Sequence, residues 1–572
     1  MLDVLITGGT VIDGTGALAR RGDVGIRDGR IVLDTDGEGA GREIDAAGLV
    51  VAPGFVDLHT HYDAQLFWDP TASPSPYHGV TTVFGGNCGF SLAPAGPEHT
   101  DYLQRMMSRV EGMPLAALEA GLDWDWRSFG DWLDRLDGRI AVNAGFLAGH
   151  SALRRVAMGD DAVGGTPTET QLGEMVRLLH EALAAGALGF STSQAPTHND
   201  DAGDPVPSRA AGRDELLALA GAVADHAGTT IELILAGCIN GFSDDEVDLM
   251  TDISLAAQRP INWNVLGVSS LNPTGYLSQL AASDRAAERG GRIAALTLPH
   301  PMRLRLSFET GFILDGLPGW REVLSLPIVE RMRALSDPAT RRRLDDLAHS
   351  PEAGMLAGLA NWKILEIVET FAPENAGLAG RRVSDIARER GVDPFDALLD
   401  IVVADDLRTG LMPPAFGDTD ADWSLRADVW RDPRVIVGGS DAGAHLDMMC
   451  GAVYSTAMLG EAVRERGLLT IEEAVRLLTD VPASFYGLRE RGRIADSYAA
   501  DLVLLDPDRV GHGPVHTRAD LPGGAWRLYA DATGIERVLV NGVDIIVDGA
   551  DTGDAPGTLL RSGRDTTTVL PS

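Results

Sequence analysis

The 572-residue sequence predicts an α/β fold: a (β/α)8 TIM-type barrel, a small β-sandwich formed from both chain termini, and an inserted, mainly helical segment before the last barrel strand. Three observations carry this expectation. Eight strand-like runs alternate with helix-like periods between residues 55 and 441, the order that builds a parallel barrel. The two ends of the chain share another texture, short strands punctuated by Gly and Asp. The first and last runs of the middle region both end in polar side chains suited to a single site. The expected parts are 1–54 for the N-terminal share of the sandwich, 55–485 for the barrel with an insertion at about 300–430, 486–561 for the C-terminal share, and 562–572 as a loose tail.

Taken in order, Val4-Leu-Ile-Thr, Asp23-Val-Gly-Ile and Arg30-Ile-Val-Leu read as short strands. The barrel strands are expected at Phe55–Asp63, Thr81–Gly89, Ile140–His150, Ala187–Ser193, Thr229–Gly237, Ile261–Leu266, Arg292–Pro299 and Arg434–Asp441. Asp214–His226, with its Glu-Leu-Leu-Ala-Leu-Ala pattern, is one of the intervening helices. The stretch between the seventh and eighth strands is too long for one helix. Within it, Glu330–Asp345 and Met355–Glu369 carry a helical pattern, and the segment is expected to cover the catalytic face. Near the C-terminus, Asn541-Gly542 between two apolar runs signals a tight hairpin.

Composition bounds the function classes. Hydrophobic residues are 44% and charged residues 23%, as in a soluble globular protein. A formal charge of −35, spread along the chain, argues against nucleic acid and anionic membranes as partners. Three cysteines, Cys88, Cys238 and Cys450, provide no disulfide framework. The N-terminus lacks the basic and apolar regions of a signal peptide, and no window has the ~18 apolar residues of a membrane span, so the expected location is the cytoplasm.

Val51-Ala-Pro-Gly-Phe-Val-Asp-Leu-His59-Thr-His61 is the most informative run. Residues two apart on a strand face the same way, so His59 and His61 aim two imidazoles at one point. Functional side chains of such a barrel gather at the C-terminal ends of its strands. That rule collects Cys88 after strand two, His150 after strand three, Ser191, Thr192 and His198 after strand four, and Asp441 with His445 after strand eight. Two histidines, a thiolate and a carboxylate suit Zn²⁺ better than Mg²⁺ or Ca²⁺. Asp441 can then move a proton between the attacking water and a leaving amine. Other roles compete: a helix N-cap for Asp441, a small buried hydrophobe for Cys88, and a satisfied supporting residue for His150. Cys238, Cys450, His180, His226 and His349 read as structural.

Pro53-Gly-Phe-Val-Asp-Leu-His-Thr-His-Tyr-Asp63, Gly86-Asn-Cys-Gly-Phe-Ser91, Gly149-His-Ser-Ala-Leu-Arg154, Gly438-Gly-Ser-Asp441 and Val538-Leu-Val-Asn-Gly542 span almost the whole chain. Together they resemble the amidohydrolase superfamily, specifically its D-aminoacylase (N-acyl-D-amino-acid deacylase) branch. The resemblance implies a metal-bearing barrel that hydrolyses a linear amide, with His59, His61, Cys88 and Asp441 at the metal and Asp441 as acid/base. The pattern departs where that branch has histidines ending strands five and six. Here Thr229-Thr-Ile-Glu-Leu-Ile-Leu-Ala and Pro260-Ile-Asn-Trp-Asn-Val-Leu contain none, and Glu232 and Asn264 are the substitutes at hand. The superfamily's carboxylated lysine is missing too. One ion is therefore expected rather than two, with His198 or His445 completing or orienting its shell. A substrate carboxylate calls for an arginine, and Arg209, Arg303 and Arg305 are the candidates. Cyclic-amide hydrolysis, deamination, and a metal-free barrel with a binding role are the alternative readings.

Overall fold

A computed structural model describes every residue except Asp36, Phe312, Phe416 and Ser572. Phe312 and Phe416 of the expected insertion, and Ser572 of the expected tail, thus lie outside the described residues. The architecture is mixed α/β, and its middle is parallel. Phe55–Asp57, Val80–Gly85 and Asn143–Phe146 pair in that order. Ala148–Gly149, Gly189–Ser193, Thr230–Ile234, Ile261–Trp263, Ile293–Thr297 and Val435–Val437 follow in a second parallel set. Leu147 alone separates the last strand of the first set from the first strand of the second. At the far ends of the two sets, Thr60 bridges Ala442 in parallel. These strands are almost entirely buried, which explains their near-continuous apolar or small-residue composition.

All eight expected strands are present; seven are shorter than expected at their C-terminal ends, while the fourth, Gly189–Ser193, ends where expected and starts later. The chain leaves the ladder wherever a turn residue intervenes. Val80–Gly85 stops at Gly86, whose φ is +73°; a Cβ there would collide with the Leu147 carbonyl oxygen. Val435–Val437 stops at Gly438-Gly439. His150 does not end a strand; it opens the helix His150–Met158.

Both termini contribute to one nine-stranded sheet. Val50–Pro53 lies at its centre, parallel to Leu2–Val11 on one side and antiparallel to Leu502–Leu505 on the other. Ile535–Val540 and Val543–Val547 form the hairpin signalled by Asn541-Gly542, both of which adopt positive φ (+49° and +82°), as a tight two-residue turn requires. The segment 562–567 is not loose. Ser562 N–H bonds Gly186 O, the Thr566 hydroxyl bonds Gly228 O at 2.6 Å, and Thr567 N–H bonds Gly487 O. Backbone bonds of this kind leave no pattern in a short polar sequence.

The segment between Ile293–Thr297 and Val435–Val437 has its own core. Trp320 stacks on Trp362 at 5.5 Å, Trp362 on Phe395 at 4.9 Å, and Leu398, Leu399 and Val402 close around them. Its expected helix over 330–345 is two helices, Ile328–Ser336 and Pro338–Ala348, because Asp337 caps the second and Pro338 starts it. The expected helix over 355–369 is corrected: 3₁₀ turns at Pro351–Ala360 and Trp362–Ile364 lead into the strand Glu366–Glu369. Among the described residues no helix is long and apolar enough to cross a membrane.

His78 ties the middle of the molecule to later segments. It is fully buried, with Nδ1 2.6 Å from Thr456 Oγ1 and Nε2 3.1 Å from Ala530 O. Burial depresses its pKa from 6.5 to about 3. A depressed histidine contributes stability that is intact above the unfolded-state pKa and lost as pH falls through the window down to the folded value. Between pH 6.5 and 5 that loss is about 2 kcal/mol. His78→Gln keeps a donor and an acceptor without the titration, so its urea midpoint is expected to fall less than the wild type's between pH 7 and 5. An identical pH response would exclude His78 as a source of acid sensitivity.

Candidate functional site

His59 and His61 follow the strand Phe55–Asp57 in an extended segment locked on both sides. Asp441 N–H bonds His59 O at 3.0 Å, His61 N–H bonds Ala442 O at 2.7 Å, and the Asp57 carboxylate accepts from both His59 N–H and Ser440 N–H at 3.3 Å. The segments following the first and last parallel strands therefore register against each other. That registration, with Asp441 at φ +57°, turns its carboxylate onto the two imidazoles. His61 Nε2 lies 3.1 Å and His59 Nε2 3.6 Å from Asp441 Oδ1. Asp441 is not a helix N-cap; the short-range cap-like bond runs from Ala442 N–H to Ser440 Oγ.

Cys88 joins them from the turn Asn87–Gly89, with Sγ 3.6 Å from His59 Nε2. Asn87 braces the turn by donating to Thr60 O and Phe84 O, and Ser191 braces it by accepting from Gly89 N–H. Glu232 accepts from Cys88 N–H at 2.7 Å and from the Asn264 amide, which also approaches Cys88 Sγ at 3.7 Å. Glu232 and Asn264 thus satisfy one another behind the thiol. His445 Nε2 stands 3.8 Å from Asp441 Oδ2. His198 lines the same cavity, its Nδ1 held by Ser193 Oγ at 2.8 Å.

His150 is absent from the site. Its ring nitrogens are taken up by Thr192 Oγ1 (2.9 Å) and by Glu215 (2.8 Å), which also pairs with the buried Arg154. The supporting role is the one it plays. Of the three arginines, Arg209 lies outside the cavity, bonded to His198 O and Asn199. Arg303 lines it and makes a two-pronged pair with Glu461 at 2.7 and 2.8 Å. Arg305 is only 2% exposed and pairs through Nη2 with Glu369 (2.7 Å) and Thr517 (3.0 Å). Its Nη1 donates to no described group. Gly410 provides the room beside the guanidinium, since a Cβ there would collide with it.

One residue at the centre escapes a reading of the sequence. Glu111, 3% exposed, places Oε2 3.4 Å from His61 Nε2. It follows the helix Pro97–Val110 as its C-cap, the negative end of the helix dipole. An acid in that unfavourable place is the one signal that could have exposed it.

The cavity measures ≈ 1160 Å³ including its open mouth, with His59, His61, Cys88, Glu111 and Asp441 on its floor. Its wall is largely apolar, with Met302, Met412, Met448 and Met449 prominent, and adaptable to an uneven apolar group. On the floor, the field favours positive charge. Burial opposes protonation of His61, but Glu111 and Asp441 outweigh it and raise the imidazole to about 10. Burial likewise opposes ionisation of Asp441, and His61 overcomes it, holding the carboxyl well below its usual range. Burial depresses His59 to about 4 and His198 to about 3. It pushes Cys88 well up, aided by Glu232, and raises Glu232 itself to about 8. His59 Nδ1 and both ring nitrogens of His61 are buried without a well-formed hydrogen bond. Convergent imidazoles and carboxylates with unsatisfied ring nitrogens fit a divalent cation.

Parallel strands whose C-terminal ends converge on such a donor set define a hydrolase-type metal site on an α/β scaffold. The chain belongs to the amidohydrolase family, whose model matches residues 42–543. It is 28% identical over 579 residues to a D-aminoacylase of Alcaligenes xylosoxydans xylosoxydans, covering 98% of this chain and 97% of that one. It is 30% identical to an N-acyl-D-aspartate deacylase of the same organism, covering 98% and 95%. A crystal structure of N-acyl-D-glutamate deacylase from Bordetella bronchiseptica, complexed with zinc and a phosphonate inhibitor, superposes with a TM-score of 0.64 at 27% identity, covering 98% of this chain and 100% of that one.

Proposed function

We propose that the protein is a metal-dependent amidohydrolase that cleaves the linear C–N bond of N-acyl-D-amino acids, releasing a carboxylic acid and the free amino acid. The observation that carries this reading is the meeting of His59, His61 and Asp441 within 3.1–3.6 Å at the floor of a cavity. The deacylases of known activity that match over the full chain support the substrate class. We assign one zinc ion to His59, His61 and Asp441, with Cys88 on its inner side. The ion would supply Lewis acidity, activating water at neutral pH and polarising the scissile carbonyl. Asp441 Oδ2, the oxygen facing His445, is the general base: it takes a proton from the attacking water as the C–O bond forms and returns it to the amine as the C–N bond breaks. Arg305 receives the substrate carboxylate, since it lines the cavity and its buried Nη1 has no partner among the described groups.

The same reading gives the scaffold a closed (β/α)8 barrel, supported by parallel pairing through eight strands and the Thr60–Ala442 bridge. It also groups the sheet of both termini into a small sandwich, with boundaries near residues 54 and 485. Three cysteines with no cysteine partner support work in a reducing cytoplasm.

The test is hydrolysis of paired D- and L-N-acetyl amino acids by the purified protein, before and after dialysis against a chelator and after zinc is restored. Chelator-sensitive, zinc-restored release of acetate from the D series is expected. Turnover of hydantoins or aminopyrimidines in its place would move the protein to cyclic-amide or deaminase chemistry. A protein with neither metal nor hydrolysis would be a binding barrel.

A further inference from the structure

We infer that Glu111 is a direct ligand of the metal ion, beside His61 and Asp441. This rests on the reading of the cavity floor as a metal site. Glu111 Oε2 and Asp441 Oδ1 flank His61 Nε2 at 3.4 and 3.1 Å, and one atom from each of the three residues lies within 4.8 Å of the other two. Neighbouring ligands of a tetrahedral ion bound at ~2 Å stand about 3.3 Å apart, so these two edges already have the dimensions of a coordination shell. His61 Nε2 makes no well-formed hydrogen bond to either carboxylate, although it is buried between them. Two carboxylates brought out of water onto one imidazole need a positive charge between them, which a protonated His61 or a bound ion supplies.

The backbone shows that Glu111 is held there, not merely packed there. Its carbonyl oxygen accepts from His445 N–H at 2.5 Å. Gly112, at φ +57°, brings the chain against His445, where a Cβ would stand 3.0 Å from the His445 Cα. The end of the helix Pro97–Val110 is thereby pinned to the segment that carries Asp441. Glu232 and Asn264, the other polar side chains near Cys88, are occupied: they are bonded to one another and to Cys88. The ligand set becomes His59, His61, Asp441 and Glu111 with Cys88 at its inner edge, richer in oxygen than the sequence alone suggests. Its mixed nitrogen and oxygen donors also suit Co²⁺.

The experiment loads wild type, Glu111→Gln, Glu111→Asp and His61→Ala with Co²⁺. It records metal per chain after dialysis, the visible d–d absorption, and the thermal midpoint of the metal-free forms. Glu111→Gln is expected to bind Co²⁺ about 10- to 100-fold more weakly, with an altered d–d band and an unchanged or higher metal-free midpoint. Glu111→Asp, which keeps the charge, is expected to recover part of the binding. A Glu111→Gln variant with wild-type metal content and spectrum overturns the assignment of Glu111 while leaving the metal site in place. A wild-type chain that takes up no ion overturns the metal site and Glu111 together. Loss of binding in both Glu111 variants with an equal fall in the metal-free midpoint assigns Glu111 to packing alone.

Discussion

Asp441→Asn is expected to fold normally and to lose about 10²–10⁴-fold in kcat. The side chain keeps its shape, and the backbone bonds that place it, Asp441 N–H to His59 O and His61 N–H to Ala442 O, do not involve the carboxylate. What disappears is the negative oxygen beside His61 and the proton acceptor facing His445. Two readouts separate those losses. Metal content reports the oxygen that faces His59 and His61. The acidic limb of the pH–rate profile reports proton transfer, and should vanish from the variant's residual activity if Asp441 is the base. A variant with near-normal turnover at full metal content would remove Asp441 from the mechanism.

Arg305→Lys is expected to lower kcat/KM for N-acyl amino acids by about 10- to 150-fold, the worth of a charge-assisted hydrogen bond. Lysine preserves the pairing with Glu369 but not the planar fork, in which Nη1 is left without a partner. The substrate carboxamide, lacking the anion, should be hydrolysed equally well by both proteins. Equal losses on acid and amide would show that Arg305 shapes the cavity without reading the carboxylate. Arg303→Lys is the matched comparison: its guanidinium is committed to Glu461, so the discrimination between acid and amide should not change.

The parts of the fold that could be read from the sequence are those in which local pattern and tertiary role coincide. Val80–Gly85 and Ile293–Thr297 are buried on both faces, so their apolar runs identify them without reference to partners. His59 and His61 were legible for the same reason, because i, i+2 spacing in an extended chain is a local property that survives even though the strand itself stops at Asp57. His150 was misplaced because Gly149-His150 can end a strand or open a helix, and only its bonds to Thr192 and Glu215 decide. The helical pattern over 355–369 failed where Gly354 (φ +53°) and the pairing of Glu366–Glu369 with Gly410–Met412 overrode it. Glu111 illustrates the general difficulty. It reaches the centre from a helix end between the second and third strands, and apart from its place at that C-cap nothing in Arg109-Val-Glu-Gly-Met-Pro marks it as facing a histidine fifty residues earlier.

The bond from Ser440 N–H to the Asp57 carboxylate joins residues 383 positions apart. Closing so long a loop is slow relative to local folding, and the contact forms only after the intervening strands have stacked in order. A ribosome must therefore release most of this chain before the pocket floor exists at all. A cation that needs both His59 and Asp441 can then bind only once this seam has formed.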